Sequence, residues 1–96
     1  MTLKALVLHP KDNVATAVRQ LESGQSEIIK NGQSNIDIVL LETIPFGHKF
    51  ALRDIVPGEK IVKYGEVIGQ AITRINKGEH VHVHNVEGFR GRGDRQ

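Results

Sequence analysis

The stretch His80-Val81-His82-Val83-His84-Asn85 carries the strongest chemical signal in this chain. If it forms a strand, residues i, i+2 and i+4 share one face, so the three imidazoles align while Val81 and Val83 point into the core. Because such neighbours lie about 7 Å apart, two imidazoles could bind one metal ion, or one could bind it while the other transfers protons. A third imidazole reaches the same ion less easily from a flat strand. A merely solvated strand face is the alternative interpretation.

Two further segments could contribute to a site. His48 lies between Gly47 and Lys49, and a histidine on a glycine-flanked turn can approach a ligand, although an ordinary surface loop has the same composition. Arg90 and Arg92 alternate with glycines near the C-terminus, where forked guanidinium groups could bind a carboxylate or a phosphate. A flexible, solvated terminus is the alternative there. The sequence contains no glycine-rich phosphate loop, serine nucleophile elbow or paired-carboxylate motif.

Length and composition limit the possible functions. A chain of 96 residues makes one domain with little room for an enclosed cavity, so a cleft would need the wall of a partner. The absence of cysteine excludes a disulfide framework, a thiolate zinc site and a catalytic thiol. A net charge of +2 and few aromatic residues argue against nucleic-acid binding. No apolar run approaches the roughly 20 residues of a membrane span, and we expect a cytoplasmic protein without a membrane partner.

The N-terminal elements are predicted to be one strand and one helix. Residues 3–8 form an apolar run that ends before Pro10, as a strand would. Asp12 is a suitable N-cap for a helix of about three turns that stops at Ser23-Gly24. The apolar residues at helical spacing between these two points are Val14, Ala17, Val18 and Leu21.

From Gln25 onward the pattern changes to short strands separated by turns, which predicts a mainly β structure. Residues 26–30 and 35–42 read as a hairpin around Asn31-Gly32. Residues 52–55 are compatible with a single helical turn. Residues 57–62 and 76–81 both place a Gly-Glu pair before a strand, which suggests an internal duplication of a turn-strand unit.

Five blocks of the sequence, taken in order, are similar to one known family. They resemble the N-terminal SAF-type domain of the altronate and galactarate dehydratases, a group that also includes the small subunit of sulfolactate sulfo-lyase. The resemblance covers nearly the whole chain and is specific for the family, though not for a substrate. The blocks are Asp12-Asn13-Val14-Ala15, Ile44-Pro45-Phe46-Gly47-His48-Lys49-Phe50-Ala51-Leu52, Lys63-Tyr64-Gly65-Glu66-Val67-Ile68-Gly69, Gly78-Glu79-His80-Val81-His82-Val83-His84-Asn85 and Arg90-Gly91-Arg92-Gly93-Asp94.

The resemblance implies a fold and an activity. The fold is a mainly β, SAF-type β-clip with one short N-terminal helix over residues 1–89, followed by a flexible Arg- and Gly-rich tail or linker over residues 90–96. The activity is that of a lyase that removes water from a sugar acid such as altronate or galactarate, or sulfite from sulfolactate. Such enzymes depend on a divalent metal ion, typically iron(II). Fused members continue into a large catalytic domain, so the chain resembles either a small subunit that docks a large catalytic subunit or an excised domain.

The resemblance also carries over a set of site residues. Elimination β to a carboxylate needs a base for the α proton and an acid or a metal for the leaving oxygen, and a neutral imidazole can serve as either. Individual roles, including that of His80, stay open. The hypothesis assigns His48, His82 and His84 to catalysis, with His82 and His84 as metal ligands or proton carriers, and Lys49, Arg90 and Arg92 to the substrate carboxylate.

Three functions therefore compete. The first is a lyase subunit, inactive alone, that completes an active site with a large subunit. The second is a non-catalytic binding or assembly module that only docks the large subunit. The third, a free metal-binding or nucleic-acid-binding protein, depends on the histidines or the arginines alone. The oligomeric state is left open, and a homo-oligomer is one option.

Overall fold

The computed structural model describes residues 4–88, and these form nine strands and no helix. The prediction of a mainly β domain is confirmed. The strands are β1 (Ala5–Leu6), β2 (Val14–Ala17), β3 (Ser26–Asn31), β4 (Ser34–Val39), β5 (Lys49–Ala51), β6 (Lys60–Lys63), β7 (Glu66–Ala71), β8 (His80–Val81) and β9 (Val86–Gly88).

The strands form three antiparallel sheets. The first has the order β1-β2-β5-β8, the second is the β3–β4 hairpin, and the third has the order β6-β7-β9. The predicted hairpin around Asn31-Gly32 is confirmed, with Asn31 paired to Ser34. The described residues form no helix, and therefore none that could span a membrane.

The helix predicted from Asp12 to Leu21 is wrong, because Val14–Ala17 is a strand between β1 and β5. Val14 packs into one apolar core, whereas Ala15 and Ala17 pack into the other. A strand that separates two cores buries residues on both faces, and here that pattern imitates helical spacing. Asp12 also does not cap a helix; its carboxylate accepts backbone N–H groups from Leu8, His9 and Gly65 at 3.2, 3.3 and 2.8 Å.

The described residues contain four turns of one design, which we call the clip turns. Each begins at a fully buried aliphatic residue and has a glycine three residues later with φ between 84° and 86°, a conformation that favours glycine. The aliphatic residues pair by two backbone hydrogen bonds, Leu21 with Ile44 and Ile55 with Ile75. The predicted duplication thus extends to four copies, and the helical turn proposed for residues 52–55 is wrong, because these residues form a bend that leads into the turn at Ile55. The clip turns are Leu21–Gly24, Ile44–Gly47, Ile55–Gly58 and Ile75–Gly78.

The pairing of β5 with β8 positions the candidate site. Lys49 lies opposite Val81 and Phe50 lies opposite His80, although these residues are about 30 positions apart in the chain. Phe50 and Val81 are fully buried, so both strands are fixed by core packing. The histidines at the ends of these strands are therefore presented by a rigid part of the domain.

Candidate functional site

Three histidine rings meet where β5 and β8 pair. His48 immediately precedes β5, His80 is the first residue of β8, and His82 follows that strand. The ring of His48 stacks on that of His82 with centroids 4.2 Å apart and on that of His80 at 5.1 Å. The rings of His80 and His82 are 5.4 Å apart and nearly parallel. We call His48, His80 and His82 the histidine cluster.

The nitrogen atoms of the cluster converge. His48 Nδ1 and His80 Nε2 are 2.9 Å apart, so one of these nitrogens donates a hydrogen bond to the other. Among the described residues, the cluster is the group of three potential metal ligands, with one nitrogen from each ring lying within 4.8 Å of the other two. His84 stands outside this group; it is exposed, and its ring is tilted against that of His80 at 5.5 Å.

The surroundings favour neutral rings. Partial burial, and then the neighbouring His48, lower the pKa of His80, while the carboxylate of Glu42 opposes this shift. Burial, His48 and Lys49 likewise lower the pKa of His82. A neutral imidazole has a free lone pair, which is the form that binds a metal ion or accepts a proton.

Sequence reasoning did not identify Glu42. Its carboxylate accepts a hydrogen bond from the backbone N–H of His80 at 3.1 Å, which ties the segment before the second clip turn to β8. Nothing in the local sequence indicates this contact, because it joins positions 38 residues apart. Glu42 is therefore the acidic neighbour of the cluster.

A comparison of the clip turns explains why the side chain of His48 is available. In three turns the residue after the glycine uses its side-chain oxygen to accept the N–H of the residue that follows the buried aliphatic one. In the turn at Gly47, the residue that follows the buried aliphatic one is Pro45, which has no N–H to donate. The residue after the glycine is His48. This turn thus needs no side-chain acceptor, and the ring can point to the site. The three capped turns pair Gln25 with Glu22 at 2.9 Å, Glu59 with Val56 at 3.1 Å and Glu79 with Asn76 at 2.8 Å.

The strand predicted over His80 to Asn85 is shorter than expected. It ends at Val81, and residues 82–85 form a turn closed by hydrogen bonds from Asn85 and Val86 to the carbonyl of His82. Val81 is buried as predicted, but Val83 is 79% exposed and does not enter the core. The turn moves His84 away from the line of the strand, which is why two histidines of this segment, and not three, join His48.

Lys49 lies on β5 next to His48 in sequence, but successive strand residues point to opposite faces. Burial, and then the charge of Lys63, lower the pKa of Lys49, and its ammonium group is close enough to affect His82. Thr16, which pairs with Lys49, has a buried hydroxyl without a hydrogen-bond partner among the described residues. Arg90 and Arg92 lie outside the residues that the structure describes.

The donor set of the cluster fits a transition metal. Imidazole nitrogen suits zinc, copper, iron and nickel, whereas magnesium and calcium prefer oxygen. Neighbouring ligand nitrogens around a tetrahedral ion lie roughly 3.4 Å apart, given metal-nitrogen bonds of about 2.1 Å. The nitrogens of the cluster, which all lie within 4.8 Å of one another, approach that spacing.

These features define a class of small β domains that have four clip turns and a surface histidine cluster. The sequence matches the family model described as the altronate/galactarate dehydratase SAF domain over residues 3–88, and the chain belongs to this family.

Three relatives show how this domain is used elsewhere. Altronate dehydratase of Escherichia coli K12 is 40% identical over 83 residues, and altronate dehydratase of Bacillus subtilis 168 is 39% identical over 80 residues. The match covers 86% of this chain but only 16% of the E. coli protein, and 83% of this chain but 15% of the B. subtilis protein. (2R)-sulfolactate sulfo-lyase subunit alpha of Chromohalobacter salexigens is 35% identical over 85 residues, which are 84% of this chain and 90% of that subunit. The chain thus corresponds to a small part of the dehydratases and to nearly all of the lyase subunit.

Proposed function

We propose that this chain is the small subunit, or the N-terminal domain, of a metal-dependent hydroxy-acid lyase. The reaction is elimination of water from a sugar acid such as altronate or galactarate, or of sulfite from sulfolactate. The observation that carries the proposal is the histidine cluster, three converging imidazoles on a domain whose relatives are dehydratases and a sulfo-lyase subunit.

The histidine cluster would hold the metal ion, which we propose to be iron(II). His48, His80 and His82 would each supply one nitrogen, and the lowered pKa values of His80 and His82 favour the unprotonated form needed for this. When bound, a divalent metal acts as a Lewis acid that polarises an oxygen of the substrate or the leaving group. His84, exposed and beside His80, is free of this ligand set and is suited to carry protons between the site and solvent.

Lys49 starts from the opposite face of β5, but its charge still acts on His82, and we propose that its long side chain reaches the substrate carboxylate. A partly buried ammonium beside a second lysine gains from a neighbouring anion, because the anion offsets both the desolvation and the repulsion that lower its pKa. The roles proposed for Arg90 and Arg92 remain predictions.

A partner would complete the site. The sulfo-lyase relative is designated subunit alpha and is thus one component of an assembly. Two large apolar residues that are close in sequence to cluster histidines are strongly exposed, Phe46 at 71% and Val83 at 79%. Burial of such residues is a main source of binding free energy at an interface. A large catalytic subunit that covers them would also close the cluster from water.

The test is a His82→Ala variant of the small chain, assembled with its large subunit. We expect turnover of the hydroxy acid to fall by at least about 100-fold, in line with the loss of a general acid-base group or a metal ligand. The control is His9→Ala, which removes a half-buried histidine that accepts the N–H of Lys11 away from the cluster. Full turnover in the His82→Ala complex would instead make the domain a docking module, and Phe46→Ser should then weaken assembly.

A further inference from the structure

Asn85 is a buried polar residue that the proposed chemistry does not use. Its side chain is 1% exposed, although asparagine is usually a surface residue. The amide nitrogen Nδ2 donates to the carbonyl oxygen of His80 at 2.8 Å, and the oxygen Oδ1 accepts the N–H of His82 at 2.9 Å. Both bonds are made to the backbone of histidines in the cluster.

This pair of hydrogen bonds has the pattern of a parallel β ladder. The carbonyl of residue n and the N–H of residue n+2 point to the same edge of a strand, where one residue of a parallel neighbouring strand bonds to both. Asn85 offers the same donor and acceptor from a side chain, so its amide acts as one residue of a missing strand. It does so at the open edge of β8, because β5 occupies the other edge.

The consequence is geometric. Strand β8 ends at Val81, yet the amide keeps the chain extended through His82. Only in an extended chain do residues n and n+2 present side chains to the same face. Without these bonds, the turn over residues 82–85 would be free to rotate His82 away from His80 and His48.

A second asparagine in the chain makes the same contacts at a place without histidines. Asn13, also 1% exposed, donates from Nδ2 to the carbonyl of Lys60 at 2.8 Å and accepts the N–H of Val62 with Oδ1 at 2.8 Å. Lys60 and His80 occupy the same position after their clip turns, two residues beyond Gly58 and Gly78. We call this pair of hydrogen bonds, from one asparagine amide to the carbonyl of residue n and the N–H of residue n+2, the amide clamp. It occurs twice among the described residues.

We infer that Asn85 is the positioning residue of the metal site: its amide clamp fixes His80 and His82 on one face so that both can bind the same ion as His48. This rests on the proposed function, in which the cluster holds a metal. Asn85 itself does not touch the ion. Asn13, with identical bonding, supplies the matched control because neither Lys60 nor Val62 belongs to the cluster.

The experiment compares Asn85→Ser with Asn13→Ser in the full chain. Zinc and, under anaerobic conditions, iron(II) are titrated into each variant, and thermal unfolding without metal measures the general loss of stability. We expect similar unfolding temperatures for the two variants, but an affinity at least about tenfold weaker for Asn85→Ser, as for other groups that orient metal ligands. Asn13→Ser should stay within about twofold of the original chain. Equal affinity losses in both variants would overturn the inference.

A metal-free measurement separates this inference from the proposed function. Nuclear Overhauser contacts between the rings of His80, His82 and His48 should be present in Asn13→Ser and lost in Asn85→Ser. If the original chain binds no metal but Asn85→Ser loses these contacts, the positioning role holds and the metal proposal fails. If the contacts persist in Asn85→Ser, Asn85 does not position the cluster. Should the serine variants not fold, Asn85→Asp and Asn13→Asp, which keep the acceptor and remove the donor, take their place.

Discussion

Two equivalent segments of the molecule, Lys60-Ile61-Val62 and His80-Val81-His82, differ in what they do. Each follows a clip turn, begins a strand, buries its middle residue completely and is held by the amide of one buried asparagine. The first presents a lysine and a valine outward, whereas the second presents two histidines that meet His48. The backbone scaffold is therefore the same, and the chemistry depends on the side chains placed on it.

The scaffold therefore does not require the histidines. Buried aliphatic residues, turn glycines and amide clamps position the second segment, and none of them is part of the cluster. Side chains of the cluster should thus be exchangeable with little loss of stability.

The double substitution His80→Lys and His82→Val transfers the side chains of the first segment onto the second. Because two of three ligands are removed, we expect metal affinity to fall by at least about 1000-fold. The amide clamp binds backbone atoms, so the fold should persist. Calorimetric titration with zinc and thermal unfolding without metal measure the two effects. Unfolding of the variant at room temperature would show that the histidines are part of the scaffold.

His48→Gln places at this position the residue type found at the equivalent position of the first clip turn, Gln25. One of three ligands is lost, and we expect metal affinity to fall by about 100-fold. The free energy of unfolding should change by no more than about 0.5 kcal/mol, because the change is at a partly exposed turn position. Urea unfolding checks the stability and zinc titration the affinity. A loss of several kcal/mol would mean that the stacked ring, and not the turn, supports this segment.

Acid should weaken the metal-free domain slightly through His80 and His82. Their pKa values are lowered in the folded chain, so below a pH of about 6.5 the unfolded chain binds more protons than the folded one. The free energy of unfolding therefore falls as pH drops through this range, and this contribution vanishes above it. Urea unfolding between pH 7.5 and 5.0 should show a shallower pH dependence in the double variant. An equal dependence would contradict the lowered pKa values.

The hairpin and two of the clip turns were predicted correctly, because their turn residues are local sequence signals. Gly32 marks the hairpin because it takes the positive φ of 65° needed at the first position of the two-residue loop between Asn31 and Ser34, and the repeated Gly-Glu pairs mark two of the clip turns. The helix over residues 12–21 was wrong because Val14 and Ala17 are buried on opposite sides of β2. Periodicity alone cannot distinguish a strand between two cores from an amphipathic helix.

The candidate site was only partly visible in the sequence. The alternation of histidines pointed to the right segment, and the glycine-flanked turn pointed to His48. The convergence of His48 with His80 and His82 depends on the pairing of β5 with β8, a contact between distant positions that no local pattern encodes. Glu42 and Asn85 act through backbone groups of the histidines, so their residue types gave no signal.

An anaerobic titration with iron(II) tests whether the histidine cluster is a metal site shared with a partner. The ring resonances of His48, His80, His82 and His84 are followed in the full chain, with and without the large subunit, together with turnover of altronate, galactarate and sulfolactate. We expect iron(II) to perturb His48, His80 and His82 together, more strongly than His84, and we expect turnover to need the partner. Turnover without any perturbation of the three rings would contradict this expectation and assign the chemistry wholly to the large subunit.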